Sequence, residues 1–442
     1  MNNEYIKVAK FGGSSLADAE HFKKVRDIIL SDPSRRYVVP SAPGKRGADD
    51  TKVTDMLYDC YRLAEEEYDF GEEFSLIEER YNGIISELGL DLDLSGEFET
   101  IRGAFRYHAG SDYAASRGEY LNGMILSKLI GYDFIDAAKV IKFFENGTFD
   151  AEKTQIILSD RLTRHERAVI PGFYGTLPNG TIKTFSRGGS DITGSIVARA
   201  AAADMYENWT DVSGFLMADP RVVDDPCTIE TITYHELREL SYMGATVLHE
   251  DSIFPVRFAG IPINIRNTND PSAKGTMIVP AADSFDAERV ITGVAGKKGF
   301  SVLNIEKDQM NAEIGYGRKV LEAIEHEGVT FEHLPSGIDT MSVVVSADMT
   351  ERQRRSIIDS ICETCEPEAI SFEDGLALIA VVGRGMVRAK GTAARVFKAI
   401  AESDINIRMI DQGSSEISII IGINESDFEK ALRAIYGEFV KQ

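Results

Sequence analysis

Two segments of the chain combine a glycine pair, hydroxyl side chains and one basic residue. The first is Lys10-Phe11-Gly12-Gly13-Ser14-Ser15, and the second is Ser186-Arg187-Gly188-Gly189-Ser190-Asp191. A strand that ends in two glycines and opens a helix brings backbone N–H groups close to an anion. Lys10 adds a point charge, and Arg187 can grip a carboxylate through two parallel hydrogen bonds. The two segments indicate a site for anionic substrates, although each glycine pair alone could be only a turn and Asp191 only a helix N-cap.

Two further motifs carry charged residues that could bind a substrate. Trp209-Thr210-Asp211-Val212-Ser213-Gly214 begins at the end of a predicted strand and leads into Ala218-Asp219-Pro220-Arg221. Loops at the strand ends of open α/β sheets are where ligands bind, although Asp-Pro is also a common turn starter. The other motif is Ser116-Arg117-Gly118-Glu119-Tyr120. Nothing in its local sequence distinguishes Glu119 from a surface or capping carboxylate.

The composition limits the partners of such a site. The chain has 442 residues, of which 43% are hydrophobic and 27% charged, and a net charge of −23. This charge argues against nucleic acid as a partner, and it requires a site for anions to gather cations locally. We expect no membrane partner, because no apolar run is long enough to span a bilayer and the N-terminus has no signal-peptide pattern. The four scattered cysteines fit a reducing, cytoplasmic location.

The elements that must position these motifs alternate between strands and helices. We predict a strand over Tyr5–Phe11, a helix from Asp18 to Leu30, a strand over Met205–Thr210 and an Ala-rich helix beginning at Ser195. Residues 256–265 are predicted to form two short strands broken by a glycine. This alternation indicates an α/β fold, a three-layer sandwich with a mainly parallel sheet.

The pattern changes beyond about residue 291. Two copies of a β-α-β-β-α-β-like unit of roughly 70 residues follow, which is the ferredoxin-like arrangement. We place the domain boundaries at residues 1–290, 291–370 and 371–442, with the strand near 300–306 able to interleave with the last unit. Two copies are too few for a solenoid and indicate a paired module that binds a small molecule.

Taken together, these motifs resemble the aspartate kinases of the amino acid kinase family. The four motifs occur in the family's order and spacing, and the C-terminal units resemble ACT domains through Gly383-x-Gly385-Met386 and the segment from Asn406 to Ser418. The likeness covers essentially the whole chain. It implies a kinase that uses ATP and Mg²⁺ to phosphorylate the side-chain carboxylate of L-aspartate, the first step of lysine, threonine and methionine biosynthesis.

The resemblance also implies roles for individual residues. Lys10 and Asp191 are the catalytic pair, with Asp191 orienting Lys10 or the metal shell rather than accepting a proton. Glu119 binds the α-amino group of aspartate and Arg187 its α-carboxylate. The remaining substrate-binding positions are Ser41, Thr54, Phe173, Thr184 and Ser190. The ATP-binding positions are Lys10, Gly12, Gly13, Ser14, Thr210, Asp211 and Arg221, and no residue is assigned as a metal ligand.

The chain departs from its relatives on the nucleotide side of this site. Leu216 stands where the family often has a Tyr, and Thr246 stands where it commonly has a Lys. The loop between Gly44 and Thr54 is longer than in some relatives. It carries three basic residues, Lys45, Arg46 and Lys52. We expect one of them to supply the charge that Thr246 does not.

The C-terminal units imply a feedback amino acid, lysine or threonine, and a homodimer or higher homo-oligomer. The positions implied for effector contacts are Met310, Gly315, Tyr316, Ser336, Asp339 and Thr340. Two alternatives stay open. One is a different amino acid kinase, such as a glutamate kinase, and the other is a sensor of amino acids that does not catalyse.

Overall fold

The computed structural model describes residues 5–186, 188–245, 248, 250–281 and 290–440. The chain divides into two compact units. The first comprises Met1–Phe215, Glu230–Tyr234 and Thr246–Ala282, and the second comprises Leu216–Ile229, His235–Ala245 and Asp283–Gln442. Two short segments that precede residue 246 therefore belong to the second unit.

A mainly parallel sheet forms the centre of the first unit. The strands of this unit are β1 (Lys7–Phe11), β2 (Arg35–Pro40), β3 (Asp133–Phe134), β4 (Ala168–Val169), β5 (Tyr174–Thr176), β6 (Ile182–Thr184), β7 (Met205–Thr210), β8 (Thr231–Thr233), β9 (Ile263–Asn267) and β10 (Thr276–Val279). Their order in the sheet is β3-β4-β2-β1-β7-β9-β10-β8, and β5 pairs with β6 in a separate hairpin. Neighbouring strands of the large sheet are parallel, except that β9 and β10 are antiparallel. The predicted mainly parallel α/β fold is confirmed.

The register of the central strands brings two predicted motifs and the loop after β2 to one edge of the sheet. Phe11 at the end of β1 pairs with Pro40 of β2 and with Trp209 of β7. Because parallel strands end at the same edge, the residues that follow them, beginning with Gly12 and Ser41, lie side by side. The sheet therefore places the first glycine pair next to the loops after β2 and β7.

Helices cover this sheet. They are α1 (Ala19–Leu30), α2 (Val53–Glu65), α3 (Gly71–Leu88), α4 (Ser95–Arg106), α5 (Ser111–Ile130), α6 (Ala137–Val140), α7 (Ala151–Leu162), α8 (Gly189–Ala200), α9 (Tyr234–Tyr242) and α10 (Glu250–Ala259). Helix α1 begins where the sequence predicts, because the Asp18 carboxylate accepts the N–H of His21 at 3.0 Å. Helices α3 and α4 meet through an aromatic core in which the rings of Phe74 and Phe105 lie 5.9 Å apart.

Two predictions for this unit are wrong. Residues 256–259, predicted as the first of two short strands, are instead the end of helix α10. The buried residues Ile253 and Val256 are three positions apart, which is helical spacing, and α10 packs against α8. Helix α8 begins at Gly189 rather than at Ser195, because Gly188 adopts a left-handed conformation with φ 56° and serves as the N-cap. The second glycine pair is therefore part of the helix start.

The second unit contains one antiparallel sheet and its covering helices. The strands are β11 (Gly293–Glu306), β12 (Phe331–His333), β13 (Thr340–Ser346), β14 (Ala369–Val382), β15 (Met409–Asp411) and β16 (Ser418–Asn424), and the helices are α11 (Tyr316–His326), α12 (Glu351–Cys365), α13 (Thr392–Glu402) and α14 (Phe428–Phe439). The strand order is β12-β13-β11-β14-β16-β15. Within the described ranges, no helix of either unit is long and apolar enough to cross a membrane.

Strands β11 and β14 are long, and each contributes one part to each of the two ferredoxin-like copies. Residues 300–306 of β11 pair with β13 and with the first part of β14. Residues 293–297 of β11 pair with residues 378–382 of β14, which also pair with β16. The two copies therefore share a continuous pair of long strands. The division of this unit into two domains stays a prediction.

Candidate active site

The two glycine-containing loops after β1 and β2 pack directly on one another. Gly12 donates its N–H to the Trp209 carbonyl at 3.0 Å, and Gly44 donates its N–H to the Gly13 carbonyl at 2.8 Å. A side chain on Gly13 would come within 2.9 Å of the Ala42 carbonyl oxygen. The glycines are therefore required for the close approach of the two loops, and they form one continuous turn-rich surface at the sheet edge.

Substituting Gly44 by Ala is expected to raise the KM for ATP at least about tenfold. The new Cβ would lie 2.6 Å from the Gly13 carbonyl carbon and 2.8 Å from the Ser14 nitrogen, so the two loops must separate. Gly47 in the same loop is the matched control, because a Cβ there meets nothing within 4 Å. Steady-state kinetics with varied ATP measure the effect. An unchanged KM in Gly44→Ala would show that the packing of the two loops does not shape the nucleotide site.

Lys10 and Asp191, which the family resemblance pairs, form an ion pair in the structure. The Lys10 Nζ lies 2.5 Å from Asp191 Oδ1, and the same oxygen accepts a hydrogen bond from Asn208 Nδ2 at 2.7 Å. Lys10 is buried, with 7% of its surface exposed. The carboxylate therefore fixes the ammonium group at the end of β1, close to the glycine turn.

Asp191 lies in the first turn of α8 and is not its N-cap, since that position belongs to Gly188. Its neighbour Ser190 is buried against Gly172, where a Cβ would lie 2.6 Å from the Ser190 Cβ. Arg187, the predicted partner of the substrate α-carboxylate, lies outside the described residues, as do Thr246 and His249. The start of α8 thus presents Asp191 toward Lys10.

Glu119 on α5 is buried, and one of its carboxylate oxygens, Oε2, has no hydrogen-bond partner. Burial raises its pKa from the ordinary value of 4.5 to about 8, against the opposing effect of the Ala42 backbone N–H. One turn further along α5, Asn122 donates to the Ser41 carbonyl at 2.6 Å, and its own Oδ1 has no partner. A buried carboxylate with a free oxygen is suited to bind a cation that a ligand brings.

A cavity of about 610 Å³ has both the Gly13 turn and Glu119 in its lining. It is lined by residues from both predicted parts of the site, namely Gly13, Ser14, Ser41, Thr54, Glu119 and Asp211, together with the basic residues Lys45, Arg46 and Lys52. The structure therefore brings together the predicted phosphate-binding turn and the predicted substrate carboxylate. A ligand that carries both an ammonium group and anionic groups would fit this lining.

Several predicted substrate residues lie at the border of α8 and the β5–β6 hairpin. Phe173 adopts a positive φ of 81° and donates its N–H to Thr193 Oγ1 at 3.0 Å. A Cβ on Gly189 would overlap the Phe173 ring, so the ring is fixed against the start of α8. Thr184 donates its hydroxyl to Asp112. That hydroxyl is therefore engaged, and a contact of Thr184 with substrate stays a prediction.

The predicted nucleotide residues are divided between the two units. Thr210 and Asp211 follow β7 in the first unit, and Thr210 donates to Asp211 Oδ1 at 3.2 Å. Leu216 and Arg221 belong to the second unit, where Arg221 Nη2 lies 2.7 Å from Asp219 Oδ2. The Arg221 side chain is largely exposed. Its role in binding ATP stays a prediction.

The predicted effector residues lie in two neighbouring loops of the second unit. Lys307 donates its N–H to the Asp339 carbonyl at 2.8 Å, and Gln309 donates its N–H to Asp339 Oδ1 at 2.8 Å. Gly315, with φ 81°, is the N-cap of α11, and the buried hydroxyl of Tyr316 has no partner. The remaining positions are Met310, which is buried, Ser336, which bridges to Met341, and Thr340, which begins β13. Their contact with an effector stays a prediction.

Sequence reasoning missed three residues that support the site. Asn208 holds Asp191, and Arg80 and Asp50 hold the loop that follows β2. Asn208 is a polar residue in a buried strand, and this is a signal that could have found it. Arg80 sits in an amphipathic helix 36 positions from its contact at Gly44, and no local pattern marks it.

Comparisons with known proteins agree with this geometry. The model of the amino acid kinase family matches residues 6–267, and a model of the ACT domain matches residues 379–439. The chain is 40% identical to Aspartokinase 3 of Bacillus subtilis (strain 168), over 98% of each chain. The crystal structure of Clostridium acetobutylicum aspartate kinase superimposes with a TM-score of 0.90 at 51% identity, covering 99% of this chain and 100% of that one.

A more distant crystal structure has the same fold. Aspartokinase III of E. coli, in complex with aspartate and ADP, superimposes with a TM-score of 0.73 at 23% identity, covering 98% of this chain and 99% of that one. At this identity the likeness shows the fold alone. From the family models and the two closer matches, the chain belongs to the amino acid kinase family and, within it, to the aspartate kinases that carry ACT domains.

Proposed function

We propose that this protein transfers the γ-phosphoryl group of ATP to the β-carboxylate of L-aspartate and releases ADP and 4-phospho-L-aspartate. The observation that carries the proposal is the cavity that Glu119 and the Gly13 turn both line. Lys10, which pairs with Asp191, has its ammonium group 3.7 Å from where a Cβ on Gly12 would lie. An amino acid with an acidic side chain has the ammonium group and the anionic groups that this lining requires.

The nucleophile needs no activation by a base. The side-chain carboxyl of aspartate has a pKa near ~3.9 and is ionised at neutral pH. One carboxylate oxygen attacks the γ-phosphorus, the bond from phosphorus to the bridging oxygen breaks, and the electron pair leaves with ADP. The barrier lies in bringing two anions together, so catalysis depends on positioning and on charge neutralisation. Lys10 supplies the neutralising charge at the end of β1.

Glu119 and Arg187 hold the other end of the substrate in this proposal. Glu119 accepts the α-ammonium group with the oxygen that is unpartnered in the protein. Arg187 is assigned to the α-carboxylate by the family resemblance alone. With both backbone groups fixed, the side-chain carboxylate remains free to reach the phosphoryl group.

The site also fits Mg²⁺ in the manner of enzymes that use ATP. Such enzymes usually bind this ion through one or two carboxylates together with the phosphates and water. Asp191 and Asp211 are carboxylates at this edge of the sheet, and in the described ranges no cluster of three or more His, Cys, Asp or Glu could hold a metal without a substrate. When bound, Mg²⁺ would neutralise charge on the transferred group. We assign Asp191 to orienting Lys10 and the metal shell.

A coupled assay of ADP release tests the substrate. We expect turnover with aspartate and none above background with glutamate or uridine monophosphate, because Glu119 requires an ammonium group and the cavity fixes the distance to the phosphoryl group. Turnover with glutamate in preference to aspartate would instead favour a different amino acid kinase. ATP-independent binding of lysine or threonine without any turnover would favour a sensor.

We further propose that lysine or threonine binds the second unit and inhibits the kinase, and that the protein is a homodimer that serves lysine, threonine and methionine biosynthesis. One solved structure of E. coli aspartokinase III contains lysine and aspartate. In this chain, helix α14 of the second unit holds the segment that carries Arg221. Tyr436 accepts the N–H of Cys227 at 2.9 Å, and Arg433 donates to the Val222 carbonyl at 2.8 Å. We propose that these contacts carry the effector signal to the segment that is predicted to bind the nucleotide.

Substituting Arg433 by Met is expected to weaken feedback inhibition while leaving the uninhibited turnover unchanged. Loss of the bond to Val222 should remove about 0.5–2 kcal/mol of coupling, which is roughly a 2- to 30-fold higher half-inhibitory concentration of the effector. Inhibition curves with lysine, threonine and both measure it. Lys430→Met is the control, since Lys430 is exposed on the same helix. Equal inhibition in both variants and the parent would contradict a signal through α14.

A further inference from the structure

The loop between Gly44 and Lys52 is closed on itself by one carboxylate. The Asp50 carboxylate accepts three hydrogen bonds from Arg46. The Arg46 backbone N–H donates at 2.8 Å, and two N–H groups of the Arg46 guanidinium donate at 2.9 Å each. The bidentate geometry fixes the Arg46 guanidinium. Arg46 is therefore occupied within its own loop, although it reaches the lining of the cavity.

Arg80 on α3 ties this loop to the first glycine turn. Its guanidinium donates to the Gly44 carbonyl at 2.7 Å, to the Ala17 carbonyl at 2.8 Å and to Asp50 Oδ2 at 2.8 Å. Only 7% of Arg80 is exposed. The buried Arg80 side chain thus links Gly44, which packs on Gly13, to Ala17 and to Asp50. We call Arg80 and Asp50 the loop clamp.

The clamp leaves Lys45 between two fixed residues, Gly44 and Arg46. The Lys45 side chain is exposed, lines the cavity and has no ion-pair or hydrogen-bond partner in the part of the chain that the structure describes. Lys52 shares these properties, but it lies beyond the clamp at the N-cap of α2. Lys45 directly follows Gly44, which donates its N–H to the Gly13 carbonyl, whereas Lys52 is eight residues from Gly44 along the chain.

Because the protein is strongly acidic, an unpaired cation in the cavity lining is a candidate ligand for phosphate. The chain carries a net charge of −23, and the cavity lining includes the carboxylate of Asp211. A polyphosphate can enter such a cavity only if cations offset this field locally. Lys10 is already paired with Asp191, which leaves a need for a second, unpaired cation at the cavity.

We propose that Lys45 binds the phosphates of the nucleotide and that Arg80 and Asp50 are positioning residues that hold it in place. The proposal rests on the proposed kinase function. It assigns to Lys45 the positive charge that relatives commonly carry at the position of Thr246. Lys45 acts as the ligand, and the clamp acts through Lys45.

Nucleotide binding measured by calorimetry without aspartate tests the proposal apart from turnover. Lys45→Ala is expected to weaken the binding of Mg-ATP and of inorganic tripolyphosphate by about tenfold each, because both lose one charged contact. Binding of adenosine should be unchanged. The KM for aspartate should also be unchanged. If the protein bound ATP but showed no turnover with aspartate, the proposed function would fail while this proposal could still stand.

Two matched lysine variants decide between a specific contact and a general charge effect. Lys24→Ala removes an exposed lysine on α1, outside the cavity lining, and should leave ATP binding unchanged. Lys52→Ala removes the other unpaired lysine of the same cavity and should weaken binding less than Lys45→Ala. Unchanged ATP affinity in Lys45→Ala, or a larger loss in Lys52→Ala, would overturn the assignment.

A double-mutant cycle tests the clamp. Asp50→Asn and Arg80→Met should each weaken ATP binding in the parent protein, and each effect should shrink in the Lys45→Ala background because the residue they position is gone. Thermal denaturation identifies any variant that does not fold, and Asp50→Asn, which keeps the shape of the side chain, provides the milder test. Fully additive effects would overturn the positioning role.

Discussion

Substituting Lys10 by Met is expected to lower kcat by at least about a hundredfold, with a smaller change in the KM for aspartate. The Lys10 ammonium group is the cation that the structure fixes at the end of β1, 2.5 Å from Asp191. Charge on the transferred phosphoryl group is stabilised by donors that are already oriented, so removing one acts mainly on the transition state. Release of ADP at saturating ATP and aspartate measures the loss.

The control for this prediction is Lys24→Met, which removes the same charge from an exposed position on α1 and should retain full activity. Lys10→Met should still fold, because Asp191 keeps its hydrogen bond from Asn208. A Lys10→Met protein that folds and keeps its kcat would show that the cation at this position takes no part in phosphoryl transfer.

Glu119→Gln is expected to raise the KM for aspartate about thirtyfold while leaving the KM for ATP nearly unchanged. A hydrogen bond to a charged group is worth about 1.5–3 kcal/mol, and the amide loses the negative charge that attracts the α-ammonium group. Glu99→Gln on the exposed face of α4 is the control. An equal rise in the KM for both substrates would indicate a structural effect rather than the loss of an ammonium-binding group.

The raised pKa of Glu119 gives this prediction a pH signature. Its pKa is about 8 in the folded protein, so the carboxyl carries a proton below that pH and must lose it to bind an ammonium group. We therefore expect kcat/KM for aspartate to rise with pH up to about 8 in the parent and to lack this rise in Glu119→Gln. A flat profile in the parent would contradict the role of Glu119.

The same pKa predicts the effect of Glu119 on stability. A carboxyl whose pKa is higher in the folded than in the unfolded protein binds its proton more tightly when folded. Between about pH 4.5 and pH 8 the unfolded protein loses this proton while the folded protein keeps it, so the free energy of unfolding falls as pH rises. Glu119→Gln should therefore be more stable than the parent at pH 8, by roughly 4 kcal/mol, and similar to it near pH 4.5. Denaturant unfolding at the two pH values measures the difference.

The fold could be predicted where local pattern and tertiary packing agree. The cap at Asp18 and the strand Met205–Thr210 follow from local chemistry and are found as predicted. The first of the two strands predicted within residues 256–265 was wrong, because packing against α8 makes residues 256–259 the end of helix α10. The sharing of β11 between two ferredoxin-like copies depends on pairing over long sequence separations, which no local pattern encodes.

The site could be predicted where a motif carries its own chemistry. The glycine pair and Lys10 predict an anion-binding site from their residue types alone. Glu119 could not be identified by its surroundings in sequence, because its unpartnered oxygen and raised pKa arise from burial on α5. Arg80 and Asp50 escape sequence analysis for a related reason, since an Arg on a helix and an Asp in a loop are ordinary until the fold joins them at Gly44.

The most direct test of the account is the formation of aspartyl hydroxamate when the purified protein is incubated with ATP, Mg²⁺, aspartate and hydroxylamine. This reagent traps an acyl phosphate, so the signal reports the proposed product rather than ADP release alone. We predict hydroxamate that requires both ATP and aspartate and is lost in Lys10→Met. Absence of hydroxamate from the folded protein at saturating substrates, with lysine or threonine still bound, would contradict the kinase function and leave a sensor.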